Sequence, residues 1–180
     1  MGKLQRGMGI KENKDLKLRY TIFRTRYGLF GLVGGLKGLR TLIFPSRGLE
    51  RKIRERFRKN LLFDPAFFRK IPQKIEAYLE GERLVFDSRV DLRDLSDFQC
   101  KVLWITLKIP YGETRSYKWI AEKMDIKGFR AIGSALKRNP LPIVVPCHRV
   151  IKSDGSLGDY SSGRGWKERL LRIEGCAITS

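Results

Sequence analysis

Amides are scarce in this 180-residue chain: Asn13, Asn60, Asn139, Gln5, Gln73 and Gln99 are all it has, beside abundant Lys, Arg, Glu and Ile. That balance is common in proteins from hot environments and says nothing about mechanism. There is one histidine, His148, and the three cysteines, Cys100, Cys147 and Cys176, contain no Cys-x-x-Cys. A zinc site of ordinary ligand type cannot be assembled from that set, so no metal is expected. The odd number and wide spacing of the cysteines argue against a disulfide framework, fit a reducing compartment and leave at least one thiol free. No long uncharged apolar run, signal-peptide core or C-terminal lipidation motif occurs, and Glu12 and Asp15 interrupt the basic opening stretch. A soluble protein is expected, without a membrane partner, cytoplasmic or, in a eukaryote, nuclear. Acidic residues are also few: 19 Asp and Glu face 38 Lys and Arg, a formal charge of +19. Such an excess points to a polyanionic partner, nucleic acid first and an anionic membrane second.

The apolar share of 42% is normal for a globular core, and the length suits one large or two small domains. Residues 1–15 read as a basic flexible tail. From Leu16 the residues Leu16, Leu18, Tyr20 and Ile22 alternate with polar ones, the period of a half-buried strand. Tyr27-Gly28 turns the chain, and Leu29 to Phe44, broken by Gly31, Gly34, Gly35 and Gly38, gives a second and third strand of a small antiparallel sheet. Those glycines match no G-x-x-x-x-G-K-[ST], so a phosphate loop is the weaker reading. Glu50 to Lys59 is a charged helix; Phe68, Ile71, Ile75, Tyr78 and Leu79 recur at helical spacing, with Pro72 kinking or delaying that helix. A short strand at Leu84 to Phe86 leads out of an N-terminal domain spanning 16–87.

The second domain, 88–180, opens with a capping box at Ser96 to Gln99. Ser116 caps a short helix ending at Met124, with Ile120 and Ala121 inward. A turn at Asp125 to Gly128 leads to a helix from about Phe129 to Arg138 with Phe129, Ile132 and Leu136 on its apolar side. Two short helices joined this way make a helix-turn-helix, which commonly presents its second helix to DNA. Arg130 there is flanked by Ala131, Gly133, Ser134 and Ala135, small enough for close approach to a minor groove; tight helix packing would use them equally well. The fold class is thus a two-domain α/β (α+β) protein, with a small sheet and helices followed by a mostly helical domain.

Past Asn139-Pro140, a buried apolar segment ends in Pro146-Cys147-His148-Arg149-Val150. A lone cysteine beside a histidine is as often an inert core thiol as a nucleophile. The motif, however, resembles the active site of the O6-alkylguanine-DNA alkyltransferases. The resemblance extends in order and spacing through Tyr111-Gly112-Glu113, Ser116-Tyr117, Arg130 to Gly133, Asn139-Pro140, Gly158 to Ser161 and Ile173-Glu174-Gly175, covering 96–176. It implies single-use, cofactor-free transfer of the alkyl group from O6-alkylguanine in double-stranded DNA, with O4-alkylthymine as a further candidate substrate, onto Cys147 by a monomer.

In that reading His148 accepts the Cys147 proton through a water, Glu174 holds the imidazole, and Tyr117 crowds the target phosphate and helps protonate the leaving guanine. Arg130 fills the space left by a flipped nucleotide, with Ala131, Gly133 and Ser134 beside it on the DNA-binding face. Asn139, Pro142, Val150, Tyr160, Ser161 and Ser162 belong to the substrate pocket, and Arg149 is structural. Ser162 stands where the family often has Gly, narrowing the pocket, and the N-terminal zinc ligands of some members are missing. Three rivals are weaker: a non-catalytic lesion-binding relative would lack the cysteine, a transcription factor would need longer side chains for reading bases, and a Cys-His hydrolase would need the two side chains on one face of a strand.

Overall fold

The computed structural model describes residues 17–57, 61–68 and 70–177, so the basic tail read at 1–15 lies outside the described residues. The alternating segment forms β1 (Leu18–Thr25), which pairs antiparallel with β2 (Gly28–Gly35), and β2 pairs antiparallel with β3 (Gly38–Ile43). Helix α1 (Leu49–Arg56) then crosses to the far edge of β1, where β4 (Leu61–Phe63) pairs in parallel, giving the order β3-β2-β1-β4. The sheet is therefore mixed, and the expectation of a purely antiparallel sheet is corrected: a crossover helix returns the chain in the same direction, which a hairpin cannot do.

Alternation sorts the two faces of the sheet. Tyr20 and Val33 bury with Leu49 and Ile53 of α1, whereas Phe30, Leu32, Leu39 and Leu42 join the main core on the opposite face. A Cβ on Gly31 would lie 2.6 Å from Ile53 Cδ1, so this glycine serves close packing of α1 on β2 and no phosphate loop exists there.

A 3-10 turn (Pro65–Phe68) precedes α2 (Lys70–Leu79), whose Ile75, Tyr78 and Leu79 are buried. Pro72 sits in the first turn, where a missing N–H costs no helical bond. The strand expected at Leu84 to Phe86 does not form: 82–89 joins no ladder and Val85 is 83% exposed. Alternating apolar residues there have no neighbouring strand to pair with; the sheet edge is met only at Val90, in a bridge with Leu39.

Helix α3 (Asp97–Thr106) starts with the capping box read from Ser96 and Gln99, each side chain bonding the other's backbone N–H. Strand β5 (Arg115–Ser116) pairs in parallel with β6 (Val150–Ile151), and the Ser116 hydroxyl accepts from Trp119 N at 3.0 Å to cap α4 (Tyr117–Lys123). Helix α5 (Arg130–Lys137) packs against α3 and α4 as the second half of a helix-turn-helix. Its inward residues are Ile132, Ala135 and Leu136; Phe129, expected on that side, is 52% exposed, because it precedes the first turn. Helix α6 (Arg164–Ile173) is the last helix among the described residues. One buried cluster runs from Phe30 and Leu32 through Val102 and Ile132 to Leu170, so the first sheet and the later helices share a core. Among the described residues no helix is long and apolar enough to cross a membrane.

Candidate active site around Cys147

The loop ahead of the cysteine is shaped by one amide. Asn139 Oδ1 accepts from Leu141 N at 3.0 Å, while its Nδ2 donates to Val145 O and to Cys147 Sγ, each at 2.9 Å. Asn139 thus braces the turn and also touches the sulfur, which the sequence reading had not placed there. The segment Leu141 to Pro146 is buried throughout, and Ile143 holds φ at 74°, a left-handed conformation that costs a β-branched residue strain. Cys147–Arg149 then forms a 3-10 turn and not the strand that the sequence suggested. The alternation argument used against a Cys-His pair therefore does not apply to this backbone.

Around His148 and Arg149 the geometry converges on Glu174. That residue caps the C-terminus of α6, just before Gly175 in the left-handed conformation, which ends the helix. Its Oε1 accepts from Tyr78 Oη at 2.5 Å, His148 Nε2 at 2.8 Å and Arg149 Nη2 at 2.9 Å; its Oε2 accepts from Arg149 Nε at 2.8 Å and Gly112 N at 3.1 Å. Arg149 Nη1 also donates to Ile109 O at 2.6 Å, tying the loop after α3 to the cysteine turn. Burial alone would raise the Glu174 carboxyl, but these donors outweigh it and hold the pKa at about 2.

A carboxylate only accepts, so His148 Nε2 carries the proton and Nδ1 is the bare nitrogen. Nδ1 is buried and has no hydrogen-bond partner among the described residues. Burial pushes the imidazole pKa down, opposed by Glu174, and pushes the Cys147 thiol up, opposed first by Asn139 and then by Tyr160 and Lys167. Both groups rest neutral, so the thiol needs a base before it can act as a nucleophile.

Two clefts are lined by residues read as DNA-binding or pocket residues, neither of them by Cys147 itself. One, of about 1040 Å³, is lined by Tyr117, Arg130, Gly133 and Ser134 together with Lys118, Lys137 and Lys152. Four cations against Asp154 and Asp159 make it basic on balance. Gly158, at φ 68°, lies against Tyr117, whose Oη would be 3.0 Å from an added Cβ. Ala131 is exposed on the same helix but does not line this cleft. The other, of about 380 Å³, brings Asn139, Pro142, Ser161 and Ser162 against β3. Val150 is fully buried, and the Tyr160 hydroxyl is buried without a well-directed partner. Cys100, partly buried, directs its thiol at the Leu92 carbonyl from 3.7 Å, and Cys176 is raised to about 11 by burial and by Glu174. Among the described residues no group of three or more His, Cys, Asp or Glu is placed to hold a metal ion.

Two residues of this site were missed in the sequence. Tyr78 was read as packing, although a buried phenol needs a hydrogen-bond partner that a Phe does not. Lys167, almost wholly buried, donates to Val150 O at 2.6 Å and to Leu157 O, and burial brings its pKa down to about 8. A signal for it existed: 167, 170, 171 and 174 share one helical face, so the lysine lies in line with Leu170, Leu171 and Glu174.

Residues 97–176 match the family described as the DNA-binding domain of 6-O-methylguanine DNA methyltransferase. The chain is 40% identical over 156 residues to a methylated-DNA–protein-cysteine methyltransferase of Methanosarcina barkeri, covering 86% of this chain and 96% of that protein. A protein of the same name from Mycobacterium tuberculosis is 46% identical over 112 residues, 62% of this chain and 67% of that one. Among solved structures, M. tuberculosis OGT in complex with DNA superposes with a TM-score of 0.75 at 37% identity, covering 87% and 92% of the two chains. The O6-methylguanine-DNA methyltransferase of Pyrococcus kodakaraensis gives 0.66 at 29% identity, covering 88% and 99%.

Proposed function

The chain belongs to the methylated-DNA–protein-cysteine methyltransferase family, and on that premise we propose that it repairs DNA by moving the alkyl group of O6-alkylguanine onto Cys147, once per molecule. The observation that carries this reading is the buried Cys147 beside a neutral imidazole whose Nε2 is committed to Glu174 and whose Nδ1 is bare.

The reaction is a displacement at carbon. Cys147 Sγ forms the new sulfur–carbon bond as the carbon–O6 bond breaks, and the thiol proton passes through a water to His148 Nδ1, since no direct hydrogen bond joins the two side chains. Asn139 Nδ2, 2.9 Å from the sulfur, stabilises the thiolate as it forms. Tyr117, in the lining of the basic cleft, supplies a proton to the leaving guanine. The product is a thioether that ordinary thiols do not reverse, so each molecule reacts once. Acceptor and base are both side chains of the chain itself, and the step calls for no cofactor.

The target oxygen is inside the duplex, so the nucleotide must be rotated out of the stack. Arg130, exposed at the start of α5, takes its place, and the small Ala131, Gly133 and Ser134 let the helix approach the groove. Asn139, Pro142, Val150, Tyr160, Ser161 and Ser162 receive the base, with the Ser162 side chain narrowing the space for bulky adducts. Arg149 is structural, holding Glu174 to the loop after α3. The non-catalytic lesion-binding reading is not favoured, because the nucleophile is present and its base is assembled beside it.

Two experiments test this reading. A duplex labelled in the methyl group of O6-methylguanine transfers its label to the protein up to one per chain; a stable complex with the label left on DNA contradicts it. Arg130→Ala slows transfer from duplex by more than about tenfold, while transfer from free O6-benzylguanine changes by less than about twofold, because only the duplex requires flipping. Equal losses on the two substrates contradict the role given to Arg130.

A further inference from the structure

The relay in the second half of the chain is completed by a residue from the first. Tyr78 reaches it from α2 and is fully buried. Its hydroxyl donates to Glu174 Oε1 at 2.5 Å, the oxygen that His148 Nε2 meets at 2.8 Å, and it lies 3.1 Å from that same nitrogen. Three polar atoms therefore meet within one hydrogen-bonded triangle, and His148 shares its carboxylate oxygen with a phenol.

We propose that Tyr78 is a positioning residue of the transfer reaction: its hydroxyl occupies part of Glu174 Oε1, fixes His148 with Nδ1 bare, and limits how strongly Glu174 draws a proton onto the ring. The proposal rests on the reading of His148 as the proton acceptor. A donor on a carboxylate oxygen withdraws negative charge from it, and the stabilisation that carboxylate offers an imidazolium falls accordingly. With a bare carboxylate the ring would hold its proton more tightly and would be less often free to take one from Cys147. The hydroxyl also restrains the carboxylate from rotating, since its remaining lone pairs are taken by Arg149 and Gly112 N.

The other groups around the pair act alongside it. Arg149 lies beside His148 on the same turn, Tyr111 packs from the loop after α3, and Lys167 and Cys176 approach from α6 and the residue segment after it. Cys147 and Tyr160 stand on the sulfur side. Of these, Tyr78 is the phenol bonded directly to the oxygen that His148 uses, with its own ionisation pushed well above the usual range by burial and by Glu174. It stays a donor at every pH at which the protein works.

Because His148 is the sole histidine in the chain, its ring can be followed by nuclear magnetic resonance without assignment ambiguity. In the parent, the ring is expected as the tautomer protonated at Nε2. Tyr78→Phe, which keeps the ring volume, moves the His148 titration up by about half to one pH unit and moves the acid limb of single-turnover transfer in the same direction. A titration and a rate profile that coincide with the parent's, or that move down, overturn the proposal. Should Tyr78→Phe fail to fold, labelled tyrosine in the parent decides: a Tyr78 hydroxyl proton protected from exchange and close in space to the His148 ring is expected, and its absence overturns the proposal. A parent that transfers no methyl group counts against the function proposed above, and the histidine titration still reads the Tyr78 contact by itself.

Discussion

Cys147→Ala loses alkyl transfer by more than about a thousandfold, while the affinity for duplex DNA stays within about twofold of the parent. The sulfur is the atom that forms the new bond, and neither Cys100 nor Cys176 can replace it, since Cys100 faces the Leu92 carbonyl and Cys176 lies beside Glu174. The substitution removes one buried atom and leaves Asn139 Nδ2 still bonded to Val145 O at 2.9 Å. Asn139 Nδ2 loses one of its two acceptors, a weak sulfur one, so the stability cost stays at about 1 kcal/mol. The basic cleft with Arg130, Gly133 and Ser134 is untouched. Transfer measured by label retention and affinity by titration of fluorescent duplex separate the two effects. Persistent transfer in this variant would remove Cys147 from the chemistry.

Glu174→Gln lowers stability by about 3–5 kcal/mol and reduces transfer in the same variant. Arg149, bound through two nitrogens to this carboxylate, is left as a buried cation without its counter-charge, and Tyr78, His148 and Gly112 N lose a charged acceptor. The pH dependence follows with a definite sign. Glu174 titrates at about 2 in the folded chain against 4.5 as the reference, so its stabilisation is present above about pH 4.5 and is lost as the pH falls toward 2. Thermal melts of the parent should therefore decline over that window, and Glu174→Gln should lack this part of the decline. A variant with the parent's melting temperature at neutral pH would mean that the ring of donors around Glu174 contributes nothing.

How far the molecule could be read from its sequence depends on how local each feature is. The Ser96 to Gln99 capping box, the Ser116 cap and the alternation of β1 are set by residues within a few positions, and each forms where the sequence places it. The parallel pairing of β4 is a matter of where α1 delivers the chain, which a three-residue strand cannot signal. Val85 and its neighbours alternate like a strand, yet strands form only where a partner edge exists. Phe129 looks inward on a helical wheel because the wheel begins one residue too early.

The site divides in the same way. Cys147, His148 and Glu174 were found through a resemblance, and the structure joins His148 to Glu174 by a hydrogen bond with Cys147 next along the turn; Tyr78 and Lys167 were not found, because each carries a local pattern that core packing explains equally well. Asn139 was placed in the substrate pocket, and the geometry adds the contact to the sulfur. What was invisible in each case is a long-range meeting, 96 residues apart for Tyr78 and Glu174.

The central claim is tested most directly by the intact mass of the protein after incubation with a duplex carrying a single O6-methylguanine, followed by peptide mapping. A gain of one methylene in mass, saturating at one per chain and located on Cys147, is the result predicted. An unchanged mass with lesion-selective binding, or a methyl group found on Cys100 or Cys176, would contradict it.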